Sequence, residues 1–506
     1  MEKSQSDTID SPSEPRVSTG VQGLDEILGG GLTPSRVYLV EGPPGAGKTT
    51  LALQFLLEGQ RHGDTGLYVT LSETSRELRS VAATHGWLLD GLTLVELLSD
   101  EGLNPEYEQT VLHPAEVELG ETVKGVMSKV EQLRPARLVF DSLSELRLLS
   151  QSPLRYRRQL LALKRFLGNR QCTVLLLDDE TSEAGDVQLH SLAHGVISLN
   201  QITHEYGGQR RRLHIVKMRG MNFRGGYHDF ALKTGGIEVF PTLVAGEHRA
   251  RFDHVNLTTG VPKLDALLGG GLARGTNTLL IGPSGAGKTT TVLKCMLTAL
   301  ERGQRAVYYL FDETLGTLLI RASALGMNLQ PHLEMGLLNI QQIDPAELSP
   351  GEFTSHVRTA VEQEGTSFVA IDSLNAYLQA MPGEKYLMLQ MHELLSYLNQ
   401  RGIMSMLVLG QHGIIGEIDS KIDVSYLSDA ILLFRYFESM GEVLTAVSAV
   451  KSRTNLHERS IRQFRLSDQG LEVGDVLSDF EGVLSGLPSY RGSTPLLGAV
   501  AEAGAE

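Results

Sequence analysis

The chain alternates short apolar runs with longer segments in which apolar residues recur at helical spacing. In the first half, the predicted helix is 48–57 and the predicted strands are 36–41, 66–71, 137–141 and 173–178. In the second half, the predicted helix is 289–299 and the predicted strands are 277–281, 306–311, 368–372 and 405–410. Strands that alternate with helices build mostly parallel sheets with helices on both faces, so the pattern predicts the α/β class.

The sequence also repeats itself at an offset of 240 residues. Residues 19–50 and 259–290 are identical at 19 of 32 positions, where unrelated segments would share only a few. A period this long indicates two copies of a whole domain and excludes the short units of a solenoid. The predicted segments are a disordered leader over 1–15, a first domain over 16–245, a linker over 246–252, a second domain over 253–485 and a flexible tail over 486–506.

Each copy contains a motif of the form G-x-x-x-x-G-K-T between a predicted strand and a predicted helix. Its glycines let backbone N–H groups approach phosphate oxygens, and the helix N-terminus adds further donors. The lysine would reach the β- and γ-phosphates, and the threonine hydroxyl would hold Mg²⁺. We predict two ATP sites, made of Gly42, Pro43, Pro44, Gly45, Ala46, Gly47, Lys48, Thr49 and Thr50, and of Gly282, Pro283, Ser284, Gly285, Ala286, Gly287, Lys288, Thr289 and Thr290.

An aspartate ends a later predicted strand in both copies. Asp141 and Asp372 are each followed by serine, and with Thr49 and Thr289 they form the predicted magnesium ligands. An aspartate at a strand end can instead act only as a helix cap. Its recurrence in both copies favours the metal role.

Hydrolysis needs a group that orients or deprotonates the attacking nucleophile. Candidates end the strand after each phosphate-binding helix, as Ser72-Glu73 in the first copy and Asp312-Glu313 in the second. Neighbouring strand residues face opposite ways, so we expect only one member of each pair to address the γ-phosphate. The alternative is that these are exposed charges at a strand end.

The charge balance restricts the class of partner. Lys and Arg number 45 against 60 Asp and Glu, and the resulting net charge of −15 argues against non-specific binding to nucleic acid or anionic lipid. Cys172 and Cys295 lie far apart and carry no disulfide pattern. No apolar run approaches the ~18 residues of a membrane span, so we expect a cytoplasmic protein without membrane association.

The duplicated segment T-G-V-x-x-L-D-x-x-L-G-G-G-L ahead of each phosphate loop, the acidic strand ends and the two Asp-Ser pairs resemble the KaiC family. These proteins are RecA-like ATPases and autokinases of bacterial circadian timing. The resemblance implies two tandem RecA-like P-loop domains in a homohexamer with ATP at subunit interfaces. It also implies ATPase activity in the first ring, Ser/Thr autophosphorylation in the second, and a KaiB-like clock partner.

Two predicted strands each carry a basic pair whose members lie two residues apart. We therefore expect both members of a pair to share one strand face. The pairs are Lys217 with Arg219 and Lys451 with Arg453. By resemblance they act in trans on a neighbouring subunit's γ-phosphate, which couples hydrolysis to ring assembly.

The resemblance also places the family's two phosphate acceptors. Ser425 falls on the first acceptor position, and Tyr426 replaces the usual threonine of the second. The family usually has Glu-Glu at the catalytic strand end, whereas this chain has Ser72 and Asp312 at the first position of each pair.

Two alternative functions stay open at the level of sequence. The Ser72 and Asp312 replacements motivate a nucleotide-dependent ring scaffold with little turnover. A RecA-like DNA-dependent ATPase is the other alternative, and the acidic net charge argues against it.

Overall fold

The computed structural model describes residues 15–97, 114–150, 152–179, 187–203, 207–344, 346–379, 386–411, 425–439, 441–467, 470–484 and 489–492. The chain divides into two compact units, Met1–Thr242 and Leu243–Glu506. The predicted linker 246–252 falls inside the second unit, where Leu243 and Ala245 join an apolar core. The predicted leader, except for residue 15, lies outside the described residues, as do residues 486–488 and 493–506 of the predicted tail.

The helices and strands of the first unit alternate along the chain. In order they are α1 (Leu24–Ile27), β1 (Val37–Gly42), α2 (Lys48–Arg61), β2 (Gly66–Thr70), α3 (Ser75–Thr84), β3 (Thr93–Glu96), α4 (Pro114–Leu133), β4 (Arg137–Asp141), α5 (Leu143–Leu148), α6 (Pro153–Gly168), β5 (Thr173–Asp179), α7 (Val187–Leu192), β6 (Gly195–Ile202), β7 (Arg210–Met218), β8 (Tyr227–Lys233) and β9 (Gly236–Phe240).

These strands form one nine-stranded sheet in the order β3-β2-β4-β5-β1-β6-β7-β8-β9. Pairing is parallel from β3 to β6 and antiparallel from β6 to β9. Successive strand residues point to opposite faces, so Tyr38 packs in a core with α2 whereas Leu39 packs in a second core with α4 and α6. The unit is a mostly parallel sheet with helices on both faces, as predicted.

The second unit repeats this succession of elements. In order they are β10 (Asn256–Leu257), α8 (Pro262–Leu267), β11 (Leu272–Ala273), β12 (Asn277–Gly282), α9 (Lys288–Leu300), β13 (Ala306–Leu310), α10 (Leu315–Ala324), α11 (Gln330–Glu334), β14 (Leu338–Gln342), α12 (Pro350–Glu362), β15 (Phe368–Asp372), α13 (Leu374–Gln379), α14 (Leu387–Gln400), β16 (Met404–Gly410), β17 (Ala430–Ser439), β18 (Glu442–Ser452), β19 (Arg462–Ser467), β20 (Gly470–Val476), β21 (Phe480–Glu481) and β22 (Ser489–Tyr490).

Its large sheet has the order β14-β13-β15-β16-β12-β17-β18-β19-β20, which is the order of the first sheet strand for strand. Two cores again lie on opposite faces, one containing Leu280 and the other Leu279. Short 3-10 helices span Ala245–Glu247 and Ser425–Leu427. Among the described residues, no helix combines the length and the apolar character that crossing a membrane requires.

The strand that precedes each phosphate loop lies inside its sheet. β1 is flanked by β5 and β6, and β12 by β16 and β17, all in parallel. The carboxyl ends of parallel strands meet at one edge of a sheet, and open α/β sheets bind ligands outside that edge. The loops that follow β1 and β12 therefore lie where the fold places its ligands.

Candidate nucleotide-binding sites

Each phosphate loop leaves its strand at a glycine and enters its helix at the lysine. β1 ends at Gly42 and α2 begins at Lys48, and β12 and α9 repeat this arrangement. The residue before each helix has left-handed backbone, with φ of 103° at Gly47 and 89° at Gly287. Glycine adopts this conformation without the steric cost that a Cβ imposes. The motif glycines thus shape the turn that aims the backbone N–H groups.

The two loop lysines share two hydrogen bonds and differ in a third contact. Lys288 Nζ donates to Gly282 O at 2.8 Å and to Pro283 O at 2.7 Å, and burial lowers the pKa of Lys288 to about 8. Lys48 Nζ makes the equivalent bonds and also lies 2.8 Å from Asp179 Oδ1. Each ammonium group therefore already lies inside the curve of its loop, where phosphate oxygens would replace the carbonyls.

The predicted magnesium ligands of the second unit are in contact. Thr289 Oγ1 donates to Asp372 Oδ2 at 2.6 Å, and Tyr308 Oη donates to the same oxygen at 2.7 Å. In the first unit, Tyr68 Oη donates to Asp141 Oδ2 at 2.5 Å. Burial raises the pKa of both aspartates, and the hydroxyl donors oppose that effect. The two tyrosines were not predicted, although they occupy the same position in both copies.

Asp312 and Glu313 do not lie on a strand, contrary to the prediction from the sequence. β13 ends at Leu310, so Asp312 and Glu313 lie beyond the regular strand and its alternation of faces does not apply. Both residues line the same cavity. That only one of them addresses the γ-phosphate stays a prediction, although strand alternation no longer supports it. Asp312 accepts a hydrogen bond from Ser373, and Glu313 forms an ion pair with Arg321 at 2.5 Å. Neither partner was predicted from the sequence.

This cavity has a volume of about 740 Å³, which lies in the range of small-molecule sites. Its lining combines the phosphate loop, the strand-end acids, Asp372 and Arg321 with apolar side chains. Leu325, just after α10, is one of those apolar residues. The lining thus combines charged and polar groups with apolar surface, as small-molecule sites do.

In the first unit, only the glutamate of the strand-end pair is partly buried, and Ser72 is exposed. Burial raises the pKa of Glu73, with further contributions from Asp141 and Glu77. Glu73 Oε2 is buried and has no hydrogen-bond partner among the described residues. A buried carboxylate oxygen without a partner suits a group that meets its partner when a ligand binds.

In each basic pair the lysine lies on its strand, β7 or β18, whereas the arginine follows the strand end at Met218 or Ser452. The prediction that both members share one strand face was wrong for this reason. Lys217 donates to His190 O and Arg219 Nη2 donates to Ser191 O at 3.0 Å. Lys451 Nζ donates to Ser428 O at 2.7 Å, and Arg453 Nη1 lies 3.5 Å from Asp429 Oδ1. A register shift precedes the lysine in each case, between Val196 and Ile197 and between Ile431 and Leu432.

The predicted acceptors begin a 3-10 helix ahead of β17. This helix spans Ser425–Leu427, and Tyr426 is 47% exposed with its ring centroid 6.1 Å from that of His392. Residues 412–424, which precede Ser425, lie outside the described part of the chain.

Comparison with known proteins addresses the whole chain. A family model described as "ATPase: KaiC" matches residues 17–244 and again residues 257–478. The chain belongs to the KaiC ATPase family. The match in two segments agrees with the two units, and the fold is that of two tandem RecA-like domains. KaiC-family membership makes the chain a nucleotide-binding ATPase.

Curated relatives span nearly the whole sequence of this KaiC-family chain. The "Circadian clock oscillator protein KaiC" of Synechococcus elongatus is 28% identical over 489 residues, which cover 94% of this chain and 92% of the relative. The protein of the same name from Prochlorococcus marinus is 28% identical over 486 residues, covering 94% and 95%. That of Picosynechococcus sp. is 27% identical over 487 residues, covering 94% and 92%.

Proposed function

We propose that this chain is a homohexameric ATPase and Ser/Thr autokinase that binds ATP with Mg²⁺ in both units and acts in circadian timing. The observation that carries the proposal is the second-unit cavity of about 740 Å³, which brings Lys288, Thr289, Asp312, Glu313 and Asp372 together. The first unit has the same loop, lysine and buried aspartate in the same order. The timing role is supported by the names of the relatives.

The donor set fits magnesium. Thr289 and Asp372 offer hydroxyl and carboxylate oxygens, the hard ligands that Mg²⁺ prefers, and Thr49 and Asp141 offer the same pair. Among the described residues no group of three acidic, His or Cys side chains could hold a metal alone. Mg²⁺ is usually held by one or two protein ligands together with substrate phosphates and water. Bound Mg²⁺ would neutralise charge that develops on the phosphates.

In the second unit, the chain's own residues would position a phosphoryl transfer to Ser425. Lys288 would contact the β- and γ-phosphates, and Asp312 would accept the proton of the incoming hydroxyl. Lys451 and Arg453 of a neighbouring copy would stabilise the transition-state charge, as Lys217 and Arg219 would in the first ring. Phosphorylation would add nearly two negative charges at a subunit interface, where a KaiB-like partner would read the change.

The kinase proposal is tested by incubating the full chain with labelled ATP and mapping the labelled residue by mass spectrometry. We expect label on Ser425, with Tyr426 as the second candidate. The label should be lost in Lys288→Ala, whereas Lys48→Ala, which alters the first site, should leave second-site labelling chemistry in place. If the chain hydrolyses ATP but labels neither residue, the proposed autokinase activity is contradicted. Binding without turnover at both sites would favour the ring scaffold.

The ring is tested by mixing two inactive variants. Lys288→Ala would lack the phosphate contact of the second site, and the double variant Lys451→Ala, Arg453→Ala would lack the trans cations. If nucleotide lies between subunits, mixed rings contain interfaces with both groups intact, and activity returns on mixing. No return of activity, in samples that native mass spectrometry shows to contain mixed hexamers, would contradict the trans role.

A further inference from the structure

The helices α3 and α10 occupy corresponding places in the two units but differ in the residue that lies near the strand-end glutamate. α3 and α10 each contain 10 residues, and each begins after a threonine whose side chain caps the helix. At the seventh residue of the helix the first unit has Val81 and the second has Arg321. Val81 packs against the apolar core of its unit, whereas Arg321 lines the nucleotide cavity.

Arg321 changes the environment of the glutamate at the strand end. Its Nη2 lies 2.5 Å from Glu313 Oε1, and the two side chains are 39% and 19% exposed. The corresponding glutamate of the first unit, Glu73, has a buried Oε2 with no partner among the described residues. Of the two equivalent glutamates, Glu313 is bound to a cation, whereas Glu73 has one buried oxygen without a partner in the described part of the chain.

The residue before the glutamate also differs between the two sites: it is Asp312 in the second unit and Ser72 in the first. In the second unit Asp312 accepts a hydrogen bond from Ser373, the residue after Asp372. In the first unit the equivalent serine, Ser142, instead makes a hydrogen bond with Ser144 at 2.6 Å, because Ser72 supplies no carboxylate. In the second site, the Glu313 carboxylate is therefore paired with Arg321, and the Asp312 carboxylate is hydrogen-bonded to Ser373, just after the end of β15.

We propose that Arg321 is a positioning residue that withdraws Glu313 from water activation, so that the second site favours transfer to a protein hydroxyl over hydrolysis. This inference rests on the proposed ATPase and autokinase function and adds a cause for different outcomes at two similar sites. Glu73 activates water at the first site because no cation among the described residues pairs with it. At the second site, Asp312 accepts the proton of the attacking serine hydroxyl.

The competing steps differ only in the attacking oxygen. In hydrolysis the water oxygen bonds to the γ-phosphorus, the bond from that phosphorus to the β–γ bridging oxygen breaks, and ADP leaves with the electron pair. The water proton passes to the carboxylate of Glu73. In transfer the serine hydroxyl oxygen forms the new bond and its proton passes to Asp312. An arginine bound to Glu313 satisfies the oxygen that would otherwise accept the proton of a water.

The repeat supplies a reciprocal exchange as the test. Arg321→Val is made in a Lys48→Ala chain so that phosphate release reports the second site, and Val81→Arg is made in a Lys288→Ala chain so that it reports the first. We expect Arg321→Val to raise second-site hydrolysis by about fivefold or more, a part of the 10²–10⁴-fold that a positioned base supplies. Val81→Arg should lower first-site kcat by a similar factor. KM for ATP should change by less than about twofold in both.

Arg321→Lys is the conservative control, since an ammonium group retains the ion pair with Glu313, and it should keep second-site hydrolysis low. A purely structural role would make Arg321→Val lose activity or nucleotide binding. A fall or no change in its hydrolysis would therefore overturn the inference, as would a first site indifferent to Val81→Arg.

Failure of the proposed function has a different signature. A wild-type chain that releases no phosphate at either site would overturn both the proposed function and the inference about Arg321. Hydrolysis that responds to the exchange, without label on Ser425 or Tyr426, would support the effect of Arg321 on hydrolysis and overturn the kinase half.

Discussion

Lys48 Nζ lies 2.8 Å from Asp179 Oδ1, so the phosphate-loop lysine of the first unit is paired with a carboxylate at the end of β5. Asp179 aligns with Gly42 in the neighbouring strand, whereas the residue that aligns with Gly282 is Gly410. The described residues of the second unit therefore contain no equivalent pair. Phosphate must compete with Asp179 for the lysine in the first site. The two sites are expected to differ in nucleotide affinity for this reason.

Asp179→Asn should tighten nucleotide binding at the first site. The amide keeps the size of the side chain and removes the charge that competes with phosphate. We expect about three- to tenfold lower Kd for a fluorescent ATP analogue, measured in a Lys288→Ala chain. Because the Asp179 side chain is 38% exposed, the gain should shrink at high salt. Asp90→Asn, at an exposed ion pair with Arg79, is the matched control and should change nothing. Equal or weaker binding in Asp179→Asn would contradict this account.

Gly287→Ala should disable the second phosphate loop through packing as well as backbone strain. A Cβ at Gly287 would lie 2.4 Å from Phe464 Cε1, at a φ of 89°. Gly303 has a similar φ of 76° but nothing within 4 Å of the added Cβ, so Gly303→Ala measures the strain alone. We expect about 1–3 kcal/mol more destabilisation in Gly287→Ala, the usual cost of overpacking. Hydrogen exchange of peptides from α9 measures it, and equal effects of the two substitutions would show that the contact with Phe464 is relieved.

The regular part of the fold was predictable from the sequence, because apolar runs and the repeat carry that information. β4 and β15 have the predicted bounds, and the phosphate loops lie between the predicted strands and helices. The alternation argument for the strand-end pairs does not apply, because β2 ends at Thr70 and β13 at Leu310, before these residues. A period-two pattern gives no signal for where a strand stops.

The partners of the site residues were harder to predict, since they depend on which strands become neighbours. Asp179 reaches Lys48 because β5 pairs with β1, although 131 residues separate them in the sequence. Tyr68 and Tyr308 recur at the repeat offset and could have been found by comparing the copies. Arg321 does not recur, and its pairing with Glu313 required the geometry of α10.

Tyr308→Phe should weaken the second site at its metal-binding aspartate. Asp372 Oδ2 accepts hydrogen bonds from Tyr308 at 2.7 Å and Thr289 at 2.6 Å, and a bond to a charged group contributes about 1.5–3 kcal/mol. We expect stability to fall by roughly this amount, and more Mg²⁺ to be needed for half-maximal ATPase activity. Differential scanning calorimetry and a magnesium titration measure the two effects.

Tyr309→Phe is the matched control for that prediction. Tyr309 is the next residue of β13, and its buried Oη has no hydrogen-bond partner among the described residues. Removing an unpartnered buried hydroxyl should leave stability unchanged or slightly raised. If both substitutions cost the same, the hydrogen bond to Asp372 would not be the cause.

The first unit should lose stability in mild acid because of His228. This side chain is fully buried on β8, its Nε2–H donates to Arg224 O at 3.1 Å, and its Nδ1 accepts from the Thr242 N–H at 2.9 Å. Protonation of Nδ1 would abolish the second bond, and burial lowers the pKa of His228 below its usual 6.5.

The sign of the effect follows from proton binding. Below about pH 6.5 the unfolded chain takes up a proton on His228 that the folded chain does not, so the free energy of unfolding falls as pH decreases until the folded pKa is reached. The single tryptophan, Trp87, lies in the first unit and reports its unfolding by fluorescence. Between pH 7 and 5, His228→Gln should flatten the fall in Tm, whereas His62→Gln, at an exposed position, should keep the wild-type slope. An unchanged slope in His228→Gln would place the acid sensitivity of this unit in other groups.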